Sequence, residues 1–199
     1  PFIAATSGSR FLVVGTGPAE EELVARFERA GAGHRLVRAG TLTGRPLHDA
    51  YRAMDVFAFS SQSETQGMVV AEAMAASLPV VALRASGVRE VVRDGHNGFL
   101  LPAGTPPATF TAQLARLRAD ARLRRQFALA ARQTAETFSR RRCAEQALAF
   151  YEHVRALTRR ERLITDRSAW GKLLRRIGVE WEIVTRNART VADAFATAS

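Results

Sequence analysis

Five short apolar runs, each but the last leading into a segment of helical spacing, constrain this chain more than any other feature. Phe11-Leu-Val-Val14 ends in the turn residues Gly15-Thr-Gly-Pro18, and Ala19–Ala30 then sets Leu23, Val24 and Phe27 on one helical face. Gly31–Gly33 stops that helix. His34–Val37 reads as a second strand closing on Ala39-Gly-Thr-Leu42, and Leu47–Met54 as a short helix. Asp55–Phe59 is a third strand, ending at Ser60–Ser63 ahead of a helix over Gly67–Ser77. Leu78–Leu83 as a strand, Gly87–Arg93 as a helix and Phe99–Pro102 as a last strand complete the alternation. Strands that are continuous apolar runs are covered on both faces, which demands parallel pairing with helices on either side.

The pattern is that of the α/β class, a Rossmann-like parallel sheet with helices on both faces, followed by C-terminal helices. From about residue 106 it becomes helix only. Pro106-Pro107 starts one helix, Asp120–Thr137 forms a second, and Ser139 to about Arg160 a third, with Cys143, Ala147, Phe150, Tyr151 and Val154 along one stripe. Trp170, Leu173, Leu174, Ile177 and Trp181 then fall at helical spacing, interleaved with Lys172, Arg175 and Arg176. The 199 residues divide into an incomplete lead-in (1–10), a main domain (11–155) and a basic amphipathic helical tail (156–199). The chain opens on Pro1 rather than Met, so it is expected to be a piece of a larger protein.

The formal charge of +10 is concentrated in the second half, from Arg116 to Arg142 and again beyond Arg159. Such an excess favours anionic partners: phosphates, nucleic acid or an acidic lipid surface. The alternative is a solvated arginine-rich face, and the single Lys among 29 basic residues points to that kind of compositional bias. One Cys, Cys143, excludes an internal disulfide. No apolar run approaches the ~20 residues of a membrane span, and no signal-peptide pattern opens the chain. The protein is expected to be cytoplasmic, with the tail either peripheral on the inner face of a membrane or packed on a missing domain.

Ligands of an open parallel sheet sit beyond the carboxyl ends of its strands. Three loops take that position: Gly15–Pro18, Ala39–Thr43 and Ser60–Met68. The third is the richest. Gly67 lets backbone approach a ligand, and the amides of Gly67, Met68 and Val69 are the unpaired donors of a helix N-terminus, a ready anion site. Glu64 stands just before that helix. Glu72 lies inside it among Val69, Val70, Ala71, Ala73 and Met74, so the spacing predicts a carboxylate buried nearly all round and in need of a partner such as ribose hydroxyls. Ser63 and Glu64 also suit simple capping. Gly15-Thr-Gly17 is half of a dinucleotide fingerprint whose sixth position is Glu20, which counts against an NAD site. His34, His48, His96 and His153 show no metal-ligand spacing, and there is no nucleophile elbow or Walker loop. Asp94-Gly-His-Asn-Gly98 has the chemistry of a turn.

Residues of about 10 to 155 resemble the donor-binding, C-terminal domain of the retaining, two-domain GT-B glycosyltransferases of the group-one family. The resemblance is carried by Leu12-Val-Val-Gly-Thr-Gly-Pro18, Ala39-Gly-Thr-Leu42, Tyr51-Arg-Ala-Met-Asp-Val-Phe57, Ser63–Ala76, Leu78-Pro-Val-Val-Ala82 and Glu90–Phe99. It implies that Glu64 is the catalytic carboxylate holding the transferred sugar and that Glu72 holds the ribose. It further implies that the backbone of Gln66, Gly67, Met68 and Val69 meets phosphates and sugar. Gly15 and Gly17 would leave room for the ligand, and Gly40, Thr41 and Leu42 would lie near the base. Glu64-Thr-Gln-Gly67 is similar to the bacterial diacylglycerol glucosyltransferases, which implies a lipid acceptor such as diacylglycerol. A nucleotide diphosphate sugar, with UDP favoured, is the implied partner; neither metal nor cofactor is implied. The family's Arg and Lys diphosphate ligands and its N-terminal acceptor domain have no counterpart here, so the chain is expected to be inactive alone.

Other functions compete. A nucleotide-sugar epimerase uses a similar scaffold. A phosphorylase would need a cofactor-bearing Lys, and Lys172 lies in the tail. A basic module binding nucleic acid would carry aromatic residues interleaved with basic strands, and this chain carries its Arg on helices instead.

Overall fold

The computed structural model describes residues 2–61 and 63–165, the last seven as helical backbone. Its chain divides into two compact units at Cys143. In the first, the strands are β1 (Phe11–Val13), β2 (Leu36–Arg38), β3 (Phe57–Phe59), β4 (Val80–Leu83) and β5 (Gly98–Leu101). Every pairing is parallel, as the apolar runs require. The strands nevertheless form two sheets rather than one: β1 with β2, and β3-β4-β5. Only β4 is buried at every position, while β2 and β3 each leave residues exposed, so an apolar run fixes neither how fully a strand is covered nor which strand lies at its edge.

The helices are α1 (Phe2–Ala5), α2 (Glu20–Arg29), α3 (Gly44–Arg52), α4 (Met68–Ala75), α5 (Val88–Val91), α6 (Pro107–Ala119), α7 (Ala121–Thr137) and α8 (Arg140–Thr165). The expected second strand begins late, because Gly33–Arg35 forms a 3-10 turn before β2. Pro107 opens α6, where its fixed φ and missing N–H cost nothing. Asp120 caps α7 by accepting from the Leu123 amide at 2.9 Å.

β4 is buried at every position, and its alternation builds the core. Val80 and Ala82 face a cluster with Val70, Met74, Val88, Val91 and Ala131. Val81 faces the opposite cluster of Phe99, Leu117 and Phe127. Each fully buried Val or Met contributes roughly 1.5–3 kcal/mol, so this strand anchors the loops at its carboxyl end. Asn97, wholly buried, ties the turn before β5 to α7: its Nδ2 donates to Val91 O and Thr134 Oγ1 at 3.0 Å each, while its Oδ1 accepts from the Arg93 amide.

α4 ends in a Schellman motif. Ser77 takes a left-handed φ of 64°, its amide meets Met74 O at 2.8 Å, and the Leu78 amide meets Ala73 O at 3.2 Å. On α8 the apolar stripe exists but is open to solvent: Phe150 and Tyr151 are each 63% exposed. No helix among the described residues is long and apolar enough to cross a membrane. The tail residues Trp170 and Trp181 lie outside the described residues.

Candidate functional site

The loops that leave the carboxyl ends of β1 and β2 meet through one hydrogen bond, from the Gly15 amide to Gly40 O at 2.7 Å. The Ala39 amide adds a bond to Val13 O at 3.0 Å. Two of the loops expected to line a ligand are therefore joined at Gly15 and Gly40. Gly17 and Thr41 are exposed, and Leu42 is half-buried. Gly17 borders a shallow groove along α2 with Glu20, Glu21 and Arg38, where Arg38 pairs with Glu20 at 3.0 Å. The acidic lining of that groove does not suit a phosphate.

The loops that follow β3 and β4 form the second junction. Gly67 is the N-cap of α4 with φ 69° and ψ 16°, a left-handed conformation. A Cβ there would stand 2.6 Å from Gly87 O and 2.9 Å from a Val91 methyl. Reciprocally, a Cβ on Gly87 would stand 2.5 Å from the amide nitrogens of Gln66 and Gly67. The Gly87 amide also donates to Glu64 O at 3.0 Å. The reason for glycine at 67 is thus the backbone of the neighbouring loop and the sign of φ, where sequence reasoning assigned it to close approach of a ligand. Gly87 was missed as a partner, although a glycine closing a post-strand loop is the same signal as Gly15 and Gly67.

Glu64 is half-buried and folds its carboxylate over the start of α4. Its Oε1 accepts from the Gln66 amide at 3.0 Å and the Gly67 amide at 2.9 Å. These backbone bonds hold the Glu64 carboxyl below its ordinary value, Gln66 contributing most and Gly67 next. Both amides precede the helix, so these are bonds within the loop rather than the helix cap foreseen for this residue, and α4 has no side-chain cap. The anion site also shifts: the Gly67 amide is taken, whereas Met68 and Val69, the first two helical residues, have amides without an intrahelical acceptor. The Val70 amide turns back to Gly67 O at 3.1 Å.

Glu72 departs from expectation. Val70, Ala71, Ala73 and Met74 are buried, but Met68, Glu72 and Ala75 are exposed, one row at helical spacing. The composition of α4 hides this face because its outward residues are also mostly apolar. The Glu72 carboxylate is not free in solvent: the Tyr51 hydroxyl donates to its Oε2 at 3.2 Å. Tyr51, in the last turn of α3, is 6% exposed and lies in a cluster with Ala73 and Leu78. Burial, then the neighbouring Glu72 charge, raise its phenol to about 12, so it remains a donor. No local sequence signal links residues 21 positions apart.

Several arginines of the basic second half are used inside the fold. The Arg116 guanidinium lies 5.2 Å over the Phe99 ring, and Arg118 donates to Ser7 O at 3.0 Å. Arg124 closes the C-terminus of α6 on Leu117 O at 2.8 Å and Arg118 O at 3.2 Å. These contacts favour a structural use of charge over a nucleic-acid surface.

The chain is 42% identical to the sulfoquinovosyl transferase SQD2 of Arabidopsis thaliana across 48% of this chain and 19% of that protein. It is 34% identical to a GDP-mannose-dependent alpha-mannosyltransferase of Mycobacterium tuberculosis across 77% of this chain and 38% of that one. It thus spans between a fifth and two-fifths of the length of these curated relatives. The solved structure of Alr3699/HepE from Anabaena in complex with UDP-glucose is 27% identical with a TM-score of 0.61, over 68% of this chain and 38% of that one. The sequence model described as "Glycosyl transferases group 1" matches residues 1–120, taking in all five strands and the junction of Glu64, Gly67 and Glu72. The chain belongs to the glycosyl transferases group 1 family and carries the Rossmann-like fold of the GT-B enzymes.

Proposed function

We propose that the first unit is the donor-binding part of a hexosyltransferase that moves a sugar from a nucleotide diphosphate sugar, UDP-sugar favoured, with retention of configuration. The observation that carries this reading is the start of α4: two amides without intrahelical acceptors, Glu64 fixed just before them, and Glu72 one turn beyond Met68 on the exposed row. A diphosphate at the Met68 and Val69 amides gains from the positive end of the helix. Glu64 commits Oε1 to its own loop, so Oε2 is the oxygen that meets a sugar hydroxyl and stabilises positive charge on the ring. One helical turn, about 5.4 Å, separates the phosphate amides from the Glu72 level, where the ribose lies. The role assigned to Gly40, Thr41 and Leu42 is to border the base, while the tight turn at Gly15 and Gly17 leaves room for the ligand beside them.

UDP is supported by the Anabaena neighbour, whose solved complex contains UDP-glucose. The mycobacterial relative is GDP-mannose-dependent, so both bases belong in the test. A lipid acceptor such as diacylglycerol is supported by the Glu64-Thr-Gln-Gly67 variant and by the exposed apolar row of α8, at whose start stand Arg140–Arg142. In this reading the acceptor is bound by a second, N-terminal domain, and the described unit alone does not turn over. The enzyme works in the cytoplasm, peripheral on the inner face of the membrane. Calorimetric titration of the full-length polypeptide with UDP, GDP and UDP-glucose tests the donor site. Binding of UDP, weakened about tenfold by Glu72→Ala, is expected; no affinity for any of the three refutes the assignment. Turnover of UDP-glucose onto diacylglycerol rather than a sugar acceptor tests the lipid.

A further inference from the structure

We propose that Tyr51 is a positioning residue that aims the Glu72 carboxylate at a vicinal diol of the bound nucleotide; this rests on the reading that Glu72 holds the ribose. Glu72 stands on the exposed row of α4, where a long side chain has many rotamers and no reason to hold one. Tyr51 supplies the reason. Its ring is packed between α3, β3 and α4, against Leu78, Ala73 and edge-on to Phe57 at 5.9 Å between ring centres. A ring held this way leaves its hydroxyl one direction to point, and the partner it reaches is Glu72 Oε2 at 3.2 Å.

The bond divides the carboxylate. Oε2 is tied to the protein, and Oε1 is left for the ligand, so a diol meets an acceptor already oriented rather than one that must be ordered on binding. The raised pKa of Tyr51 keeps the phenol protonated, which makes it a donor to Glu72 through the physiological range. At 3.2 Å the bond is longer than the ~2.6 Å of a strong charge-assisted one, which puts its effect below that of a usual hydrogen bond to a charged group and near that of a neutral one.

The test uses Tyr51→Phe in the full-length polypeptide, because phenylalanine preserves the packed ring. UDP and 2′,3′-dideoxy-UDP are titrated into wild type, Tyr51→Phe, Glu72→Ala and the double variant. Tyr51→Phe should weaken UDP about threefold and leave the dideoxy analogue unchanged, and the double variant should lose no more than Glu72→Ala alone. A merely structural role would lower both ligands together, and that result, or no change in either, overturns the proposal. If wild type binds UDP and its dideoxy analogue equally, or binds neither, the ribose role of Glu72 fails first and the positioning role falls with it. Should Tyr51→Phe melt far below wild type, the wild-type and Glu72→Gln preference for the diol decides: a Gln that retains the full preference overturns the proposal.

Discussion

The close approach of Gly67 and Gly87 makes a quantitative prediction. Gly67→Ala meets two penalties. The left-handed φ of 69° costs an L-residue about 1–2 kcal/mol, and a Cβ 2.6 Å from the Gly87 carbonyl oxygen forces backbone to move, about 1–3 kcal/mol more. Gly87→Ala meets only the second: its N-cap φ is −69°, but its Cβ would lie 2.5 Å from two amide nitrogens. Gly40→Ala meets only the first, having a φ of 66° and nothing within 4 Å of the added carbon. Urea unfolding should therefore rank the losses Gly67→Ala, at roughly 2–5 kcal/mol, above both of the others. Because the junction holds the Glu64 loop over α4, Gly67→Ala and Gly87→Ala should also weaken UDP at temperatures where they remain folded. A Gly67→Ala variant no less stable than Gly40→Ala would refute the steric part of this reasoning.

Two further outcomes follow from the same element. The Glu64 carboxyl titrates lower when folded than unfolded, so its stabilisation is complete above the ordinary glutamate value of about 4.3 and is lost as pH falls through the folded value. Glu64→Gln should flatten that acid limb in urea midpoints collected from about pH 3 to pH 6, and an unchanged limb would show that the bonds from the Gln66 and Gly67 amides do not govern it. Ser77→Gly relieves a left-handed φ of 64° on a residue with a Cβ and should stabilise the protein by about 1 kcal/mol, read as a rise in melting temperature.

Much of the architecture is legible along the chain. The apolar run Leu78–Leu83 contains β4, the helix at Pro107 starts where proline permits, and Asp120 caps α7 where the pattern changes. The carboxyl-end loops are legible too, since a parallel strand followed by a helix leaves its loop at only one edge. The solvent face of α4 is not. Met68, Glu72 and Ala75 are read among apolar neighbours as part of a buried stretch, and only the packing of Val70, Ala71, Ala73 and Met74 against the core shows which side is left out. The division of the strands between two sheets is equally invisible, because edge pairing is a matter of neighbours in space.

Local periodicity and turn chemistry were enough to dictate parallel strands, their helices and a helix N-terminus beside Glu64, since each of these depends on residues within a few positions of one another. The contacts that give the candidate site its shape depend on residues far apart. Gly67 against Gly87 and Tyr51 on Glu72 exist because β3 and β4 lie side by side and α3 packs near α4, an arrangement set by burial of the whole core rather than by any segment within it.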